Sequence, residues 1–210
     1  MVMITDVRRD KKLVHIRLGS RTVTITAALY RLRPLEPGDS VDPEEYENWL
    51  MLQQYRPALA YAARLLGQRG HSEGELREKL LRSTCLPRTV DMVILKLKQM
   101  KFVDDAAFAR DWAAARASHL GRRRIADELR RKGIPGELIT QALEALPEED
   151  MADSAARFAA SALAHPKPGE DIRVTRQKVM GRLIRRGYSW DEAKDAVDSV
   201  LSGAGNDDDD

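Results

Sequence analysis

The chain has 210 residues, 43% of them hydrophobic and 5% aromatic, with 35 basic and 33 acidic side chains and a formal net charge of +2. That apolar content supports a folded core, the few aromatics argue against broad stacking platforms for single-stranded nucleic acid, and the near balance of charge hides unevenly placed patches. One cysteine, Cys85, excludes an internal disulfide framework and fits a reducing compartment; with no apolar leader in MVMITDVRRDKKLV and no membrane-length run, the expected location is cytoplasmic.

Residues 13–26, LVHIRLGSRTVTIT, alternate as Val14, Ile16, Leu18 and Val23, Ile25 about Gly19-Ser20, which predicts a β-hairpin. A lone hairpin is marginal in water, so it is expected to pack on the helices as an N-terminal cap. Ala27–Leu32 suits a short helix, and LRPLEPGDSVDP a loop. Asp42, as N-cap, and Pro43, in the first turn, open a linking helix through Tyr46–Leu52. Pro57 is expected to start a separate helix.

The rest of the chain repeats. In the stretch from Asp104 to Leu146, Phe108, Trp112 and Ala115 mark one face of a first helix. Ile125 and Leu129 mark a second that ends at Gly133, and Ile139, Ala142, Leu143 and Leu146 mark a third. The same apolar positions recur upstream as Leu76, Leu80, Val90, Val93, Ile94 and Leu97. They recur downstream as Val179, Leu183, Ala193, Ala196, Val197 and Val200. Gly133 corresponds to Gly187 and to Thr84. The upstream copy has capping-box spacing at Ser72–Glu75, and Cys85-Leu86-Pro87 turns the chain into its third helix. Asp104 and Asp105 suit a helix start. The downstream copy carries a longer loop at 165–171, and GAGNDDDD reads as a disordered acidic tail.

The expected architecture is mainly α: a tandem array of three three-helix repeats with an N-terminal β-hairpin and linking helix. Its segments are 1–56 for the hairpin and linking helix, 57–102, 103–148 and 149–202 for the repeats, and 203–210 for the tail. An array with capped ends can work alone, so a monomer is expected.

The sequence contains no phosphate loop ending in Gly-Lys-Ser/Thr and no GxSxG nucleophile elbow. His15, His71, His119 and His165 lack metal-ligand spacing with Cys85. Cys85 stands near Arg82 and Arg88 but reads more simply as a turn residue. Capping accounts for Asp104-Asp105 better than cation binding does. No enzyme, cofactor or metal is expected.

Basic residues do recur. Arg131 corresponds to Arg82 and Arg185, and Arg124 to Lys178, with Glu75 breaking the upstream match. Residues seven apart share a helical line, so Arg124 with Arg131, and Lys178 with Arg185, form a basic stripe suited to an acidic partner. A solvated face is the plainer alternative. Base reading by the third helices is disfavoured by Glu137, Glu144, Asp191, Glu192, Asp195 and Asp198. Only the upstream third helix, with Arg88, Lys96, Lys98 and Lys101, suits DNA in that role, although nonspecific phosphate contact through the arginines stays open.

Glu75-Leu76-xx-Lys79-Leu80, Phe102-Val103-Asp104-Asp105-xx-Phe108-Ala109 and LRRKGIPGELITQAL at 129–143 together resemble the RecX family of bacterial recombination regulators, over about residues 58–201. The resemblance implies a noncatalytic protein that binds the RecA filament on DNA and restrains its growth, ATP turnover and strand exchange in DNA repair, recombination and the SOS response. Arg82, Arg124, Arg131, Lys178 and Arg185 are then the expected partner-facing residues. Phe108, Trp112, Ile125, Leu129 and Leu143 are expected in the core. The alternative is a nonspecific DNA-binding helical module acting without RecA.

Overall fold

A computed structural model describes residues 1–164 and 171–203. The expected loop at 165–171, apart from Asp171, and the expected acidic tail, apart from Gly203, lie outside them, as does His165. The chain divides into two units, Met1–Asp104 and Asp105–Asp210.

The first unit opens with strands β1 (Val2–Arg9), β2 (Leu13–Leu18) and β3 (Arg21–Thr26). A short helix α1 (Ala27–Tyr30) and a two-residue strand β4 (Ser40–Val41) come next. The expected hairpin is β2–β3, turning at Gly19 with φ 60°. It belongs to an antiparallel sheet of order β3-β2-β1-β4, whose first strand the sequence pattern did not announce. The reason is local: the β1–β2 register shifts between Ile4 and Val7, so inward residues of β1 do not keep the period of two. Ile4 is nonetheless buried beside Val14, Ile16, Leu18, Val23 and Ile25.

Helix α2 runs unbroken over Pro43–Leu66, with Asp42 accepting the amides of Glu44 and Glu45 as N-cap. The expected second helix beginning at Pro57 does not exist: Pro57 lies inside α2. Its ring removes one main-chain donor, but it sits on the exposed side while the buried row Tyr46, Leu50, Gln54, Ala58, Ala62, Leu65 continues in phase past it. Two cores share that row. Tyr46 and Leu50 pack under the sheet, and Ala58, Ala62 and Leu65 pack against α3 (Glu73–Arg82) and α4 (Pro87–Gln99).

Between the two cores Gln54 is 8% exposed and hydrogen-bonded through both its amide nitrogen and its amide oxygen. Its Nε2 donates to the Thr84 carbonyl at 3.0 Å, and its Oε1 accepts from the Leu86 amide at 2.8 Å and the Thr89 hydroxyl at 3.0 Å. An amide buried there without those partners would be costly, so Gln54 fixes the α3–α4 turn onto α2. The expected capping box at Ser72–Glu75 is present at the start of α3.

The second unit holds α5 (Asp105–Ala117), α6 (Arg122–Arg131), α7 (Gly136–Glu144), α8 (Glu148–Leu163), α9 (Ile172–Arg185) and α10 (Trp190–Gly203) around one core. Ile125 and Leu129 are fully buried there. Phe108, Trp112 and Leu143 are only half-buried and pack at its margin. The face α5 turns inward is Ala109, Ala113 and Ala117, not Phe108, Trp112 and Ala115, because small side chains let the helix approach closely. Phe108 and Trp112 instead stack at the rim, 5.8 Å between centroids, with the Lys132 ammonium 3.9 Å from the Trp112 ring centre. Tyr188, buried in the α9–α10 turn, meets the Ser154 hydroxyl on α8 at 2.7 Å.

The repeat shows in the backbone as well. Gly133 and Gly187 take φ 77° and 96°, and Thr84, at the corresponding position, takes φ 66°. Each left-handed residue ends a second helix and lets the next amide bond back to it, as Cys85 N–H does to Leu80, Ile134 to Leu129 and Tyr188 to Leu183.

Candidate functional site

The basic positions singled out from the sequence all lie on exposed helical surface, but their electrostatic settings differ. In the first unit Arg82 pairs with Glu78 one turn earlier on α3, both well exposed. On the same two helices Arg77 bridges Glu73 at 2.8 Å and Asp91 at 2.6 Å, and Lys98 reaches Glu73 at 2.8 Å. Burial pushes the Glu73 carboxyl up, but hydrogen bonds from Lys98 and Arg77 outweigh that and hold it below the usual range. Glu75, which breaks the basic correspondence, serves the capping box and pairs with Arg69 at 2.9 Å.

In the second unit Arg131 lies on the last turn of α6, its Nε donating to the Asp127 carbonyl at 3.2 Å, while Arg130 pairs with the Asp127 carboxylate at 2.6 Å. Arg124 stands at the other end of α6, where the structure joins it to α9. The Gly121 amide donates to the Arg186 carbonyl at 3.0 Å and the Arg123 amide to the Gly187 carbonyl at 3.1 Å. The carbonyl end of α9 thereby satisfies amides that α6 leaves free at its start. The approach needs glycine on both sides: a Cβ at Gly121 would collide with the Gly187–Tyr188 peptide, and one at Gly187 with the backbone of Arg124. Arg124 and the end of α9 bearing Arg185 are therefore brought together, with Arg131 and Lys178 further along α6 and α9. Arg82 belongs to the other unit.

This junction concentrates positive charge against local electrostatic preference. Arg122, Arg123 and Arg124 occupy the first turn of α6, which carries no acidic residue, where the helix dipole disfavours cations by about 0.3–1 kcal/mol each. Arg122 is compensated by Glu148 at 3.0 Å and Glu192 at 3.3 Å. On α9, Arg176 pairs with Asp198, whose carboxyl is held low by Lys194 first and by Arg176. The Arg186 guanidinium lies over the Phe158 ring at 4.2 Å and donates to the His119 carbonyl at 3.2 Å. Among the described residues Arg123, Arg124, Arg182 and Arg185 have no side-chain partner. The repeat comparison did not single out Arg123 and Arg182. Their signal was legible nonetheless, since no Asp or Glu occurs between Asp111 and Asp127 or between Asp171 and Asp191.

The remaining chemistry-bearing residues are occupied structurally. His15 meets Thr24 at 2.9 Å, and His71 is buried with its Nδ1 3.0 Å from the Arg69 carbonyl. Cys85 is half-buried beside Ser83 in the α3–α4 turn. Among the described residues no three His, Cys, Asp or Glu side chains gather as metal ligands, and no helix is long and apolar enough to cross a membrane.

Comparison with known proteins places these helices in context. Residues 58–106 match the family model described as RecX, first three-helix domain, and residues 104–143 that of RecX, second three-helix domain. "Regulatory protein RecX" of Mycobacterium sp. (strain JLS) is 36% identical over 152 residues, covering 70% of this chain and 82% of that protein. The protein of the same name from Pelodictyon phaeoclathratiforme is 31% identical over 153 residues, covering 71% and 93%. A crystal structure of regulatory protein RecX aligns with TM-score 0.63 at 21% identity, over 92% of this chain and 98% of the other. The RecX structure from Lactobacillus salivarius aligns with TM-score 0.62 at 18% identity, over 72% and 96%.

Proposed function

This chain belongs to the RecX family, whose members here bear the name regulatory protein, and we propose that it acts as a noncatalytic regulator that binds the RecA filament on DNA. In this reading it restrains filament growth, ATP hydrolysis and strand exchange, and does so as a cytoplasmic monomer in DNA repair and recombination. One observation carries the reading furthest: the uncompensated basic surface where the start of α6 meets the end of α9, with Arg123, Arg124, Arg182 and Arg185 exposed and unmatched among the described residues. Cations kept apart from carboxylates, some at the unfavourable end of a helix, are a cost the fold has no need to carry unless an acidic partner meets them. Arg131 and Lys178 extend the contact along α6 and α9, and Arg82 is a further partner-facing position on the first unit. Arg82 joins by exchanging Glu78, since an exposed pair of this kind is worth little.

A second reading has support from the same arginines. Guanidinium groups at a helix start suit phosphates, so nonspecific DNA binding without RecA is the competing function. The experiment is DNA-dependent ATP turnover by RecA of the same organism, with this protein titrated in beside an Arg124→Ala, Arg131→Ala, Arg185→Ala variant of unchanged circular dichroism. Inhibition at substoichiometric protein, weakened in the variant, is expected. No inhibition at any ratio, together with steeply salt-dependent binding to naked duplex, would give the function to DNA binding instead.

A further inference from the structure

The geometry points to the outward face of α9 as a docking surface for one acidic, amphipathic helix of a protein partner. The surface consists of three rows of residues seven apart, which a helix lays nearly in line. Val174 and Gly181 form the middle row, Gln177 and Ile184 one side, Lys178 and Arg185 the other. Arg173 and Arg182 lie beyond those sides. Val174 and Ile184 are 42% and 41% exposed, as is Ile172 at the start of the helix at 54%. α8 and α10 cover the opposite side, where Thr175, Val179 and Leu183 are buried.

Gly181 is the informative residue. It sits inside a helix, where glycine is the poorest choice short of proline. Its φ is not positive, and among the described residues a Cβ there would meet only the Arg185 Nη1 at an ordinary 3.5 Å. Neither the backbone nor the packing of this unit asks for glycine. What its absence of a side chain provides is a half-exposed notch in that face, beside the Arg185 guanidinium, where another backbone can come close. The surroundings say which kind. A phosphate chain gains nothing from Val174 and Ile184, whereas a helix with an apolar row flanked by carboxylates matches the apolar middle and the basic margins together. The inference rests on reading this surface as one that binds protein, and adds the chemistry and form of what sits there.

The test uses isotope-labelled full chain and follows amide shifts. The probes are a synthetic helix with a leucine row flanked by glutamates, its twin with lysine for glutamate, and a short DNA duplex. The acidic helix is expected to shift the amides of Val174–Arg185 and saturate, and the lysine twin to leave them unmoved. Gly181→Gln is expected to raise Tm by about 2–4 °C through helix propensity while weakening the acidic helix roughly tenfold. A Lys178→Glu, Arg185→Glu variant weakens it similarly and decides the matter if Gly181→Gln fails to fold. Undiminished binding by Gly181→Gln, silence of these amides toward the acidic helix, or tighter saturation of them by the duplex would each overturn the inference. If the acidic helix binds here but RecA turnover is untouched, this inference stands and the filament reading falls.

Discussion

Thr84 holds a left-handed backbone, φ 66°, at the place where the other two copies of the turn have Gly133 and Gly187. For a β-branched residue that conformation costs on the order of 1–3 kcal/mol. The cost is met by what the turn achieves, since the Thr84 carbonyl is one of the three partners of Gln54. Thr84→Gly should therefore raise the urea midpoint by the equivalent of about 1 kcal/mol after the extra chain entropy of glycine is deducted. The reverse change, Gly133→Thr, should lower it. A loss of stability in Thr84→Gly would show that the threonine hydroxyl, which donates to the Ser83 carbonyl, outweighs the strain. His71 offers a second test. Burial, ahead of the nearby Arg69 and Lys79 charges, holds its imidazole below the usual 6.5. A group that is harder to protonate when folded binds fewer protons in the native state, so its contribution is whole above pH 6.5 and is lost as pH falls below that. Thermal melts should decline from pH 7 downward, and His71→Gln should flatten that part of the profile.

Among the elements, α2 carries the most instructive departure from local expectation. A proline normally ends a helix or begins one, yet α2 passes through Pro57. Its buried row serves the sheet core at one end and the α3–α4 core at the other, and burial along that row outweighs one missing hydrogen bond. Pro57→Ala should accordingly stabilise the protein by up to about 3 kcal/mol, measured by urea unfolding. No gain, or a loss, would mean that the fixed backbone Pro57 imposes is needed to seat both cores. α5 makes the complementary point, for its buried face is made of alanines and its large aromatics lie at the rim. Aromatic size alone does not identify the inward face of a helix that must approach its neighbours closely.

Across the molecule, charge is divided unevenly. On α3 and α4, Arg77, Arg82 and Lys98 are answered by Glu73, Glu78 and Asp91, whereas Arg123 and Arg124 on α6 and Arg182 and Arg185 on α9 have no such partner among the described residues. Stability and binding should then separate by residue class. Leu129→Ala opens a cavity in the second unit's core and should cost about 2–5 kcal/mol, with any loss of RecA inhibition tracking the fraction unfolded. The Lys178→Glu, Arg185→Glu variant should leave stability within roughly 0.5 kcal/mol and abolish inhibition at physiological salt. If instead the charge reversals melt the protein and spare inhibition, these side chains act in the fold and the contact lies elsewhere.

Features that depend on residues near one another along the chain were legible before folding. Helical periodicity placed the repeated apolar positions that became the cores, Asp42 and Ser72 announced their helix starts, and the β2–β3 alternation announced its hairpin. Recurrence of Arg82, Arg131 and Arg185 was likewise legible. Features that depend on neighbours through space waited for tertiary packing. Packing paired β1 despite its irregular register, carried α2 through Pro57, turned alanines rather than aromatics into the core from α5, and set Gly121 against Gly187 so that α6 and α9 join. It also settled which cations are matched, because a carboxylate that neutralises an arginine can come from any part of the chain that folding brings near. Arg122 finds Glu192 seventy residues away, while Arg124 beside it finds none among the described residues.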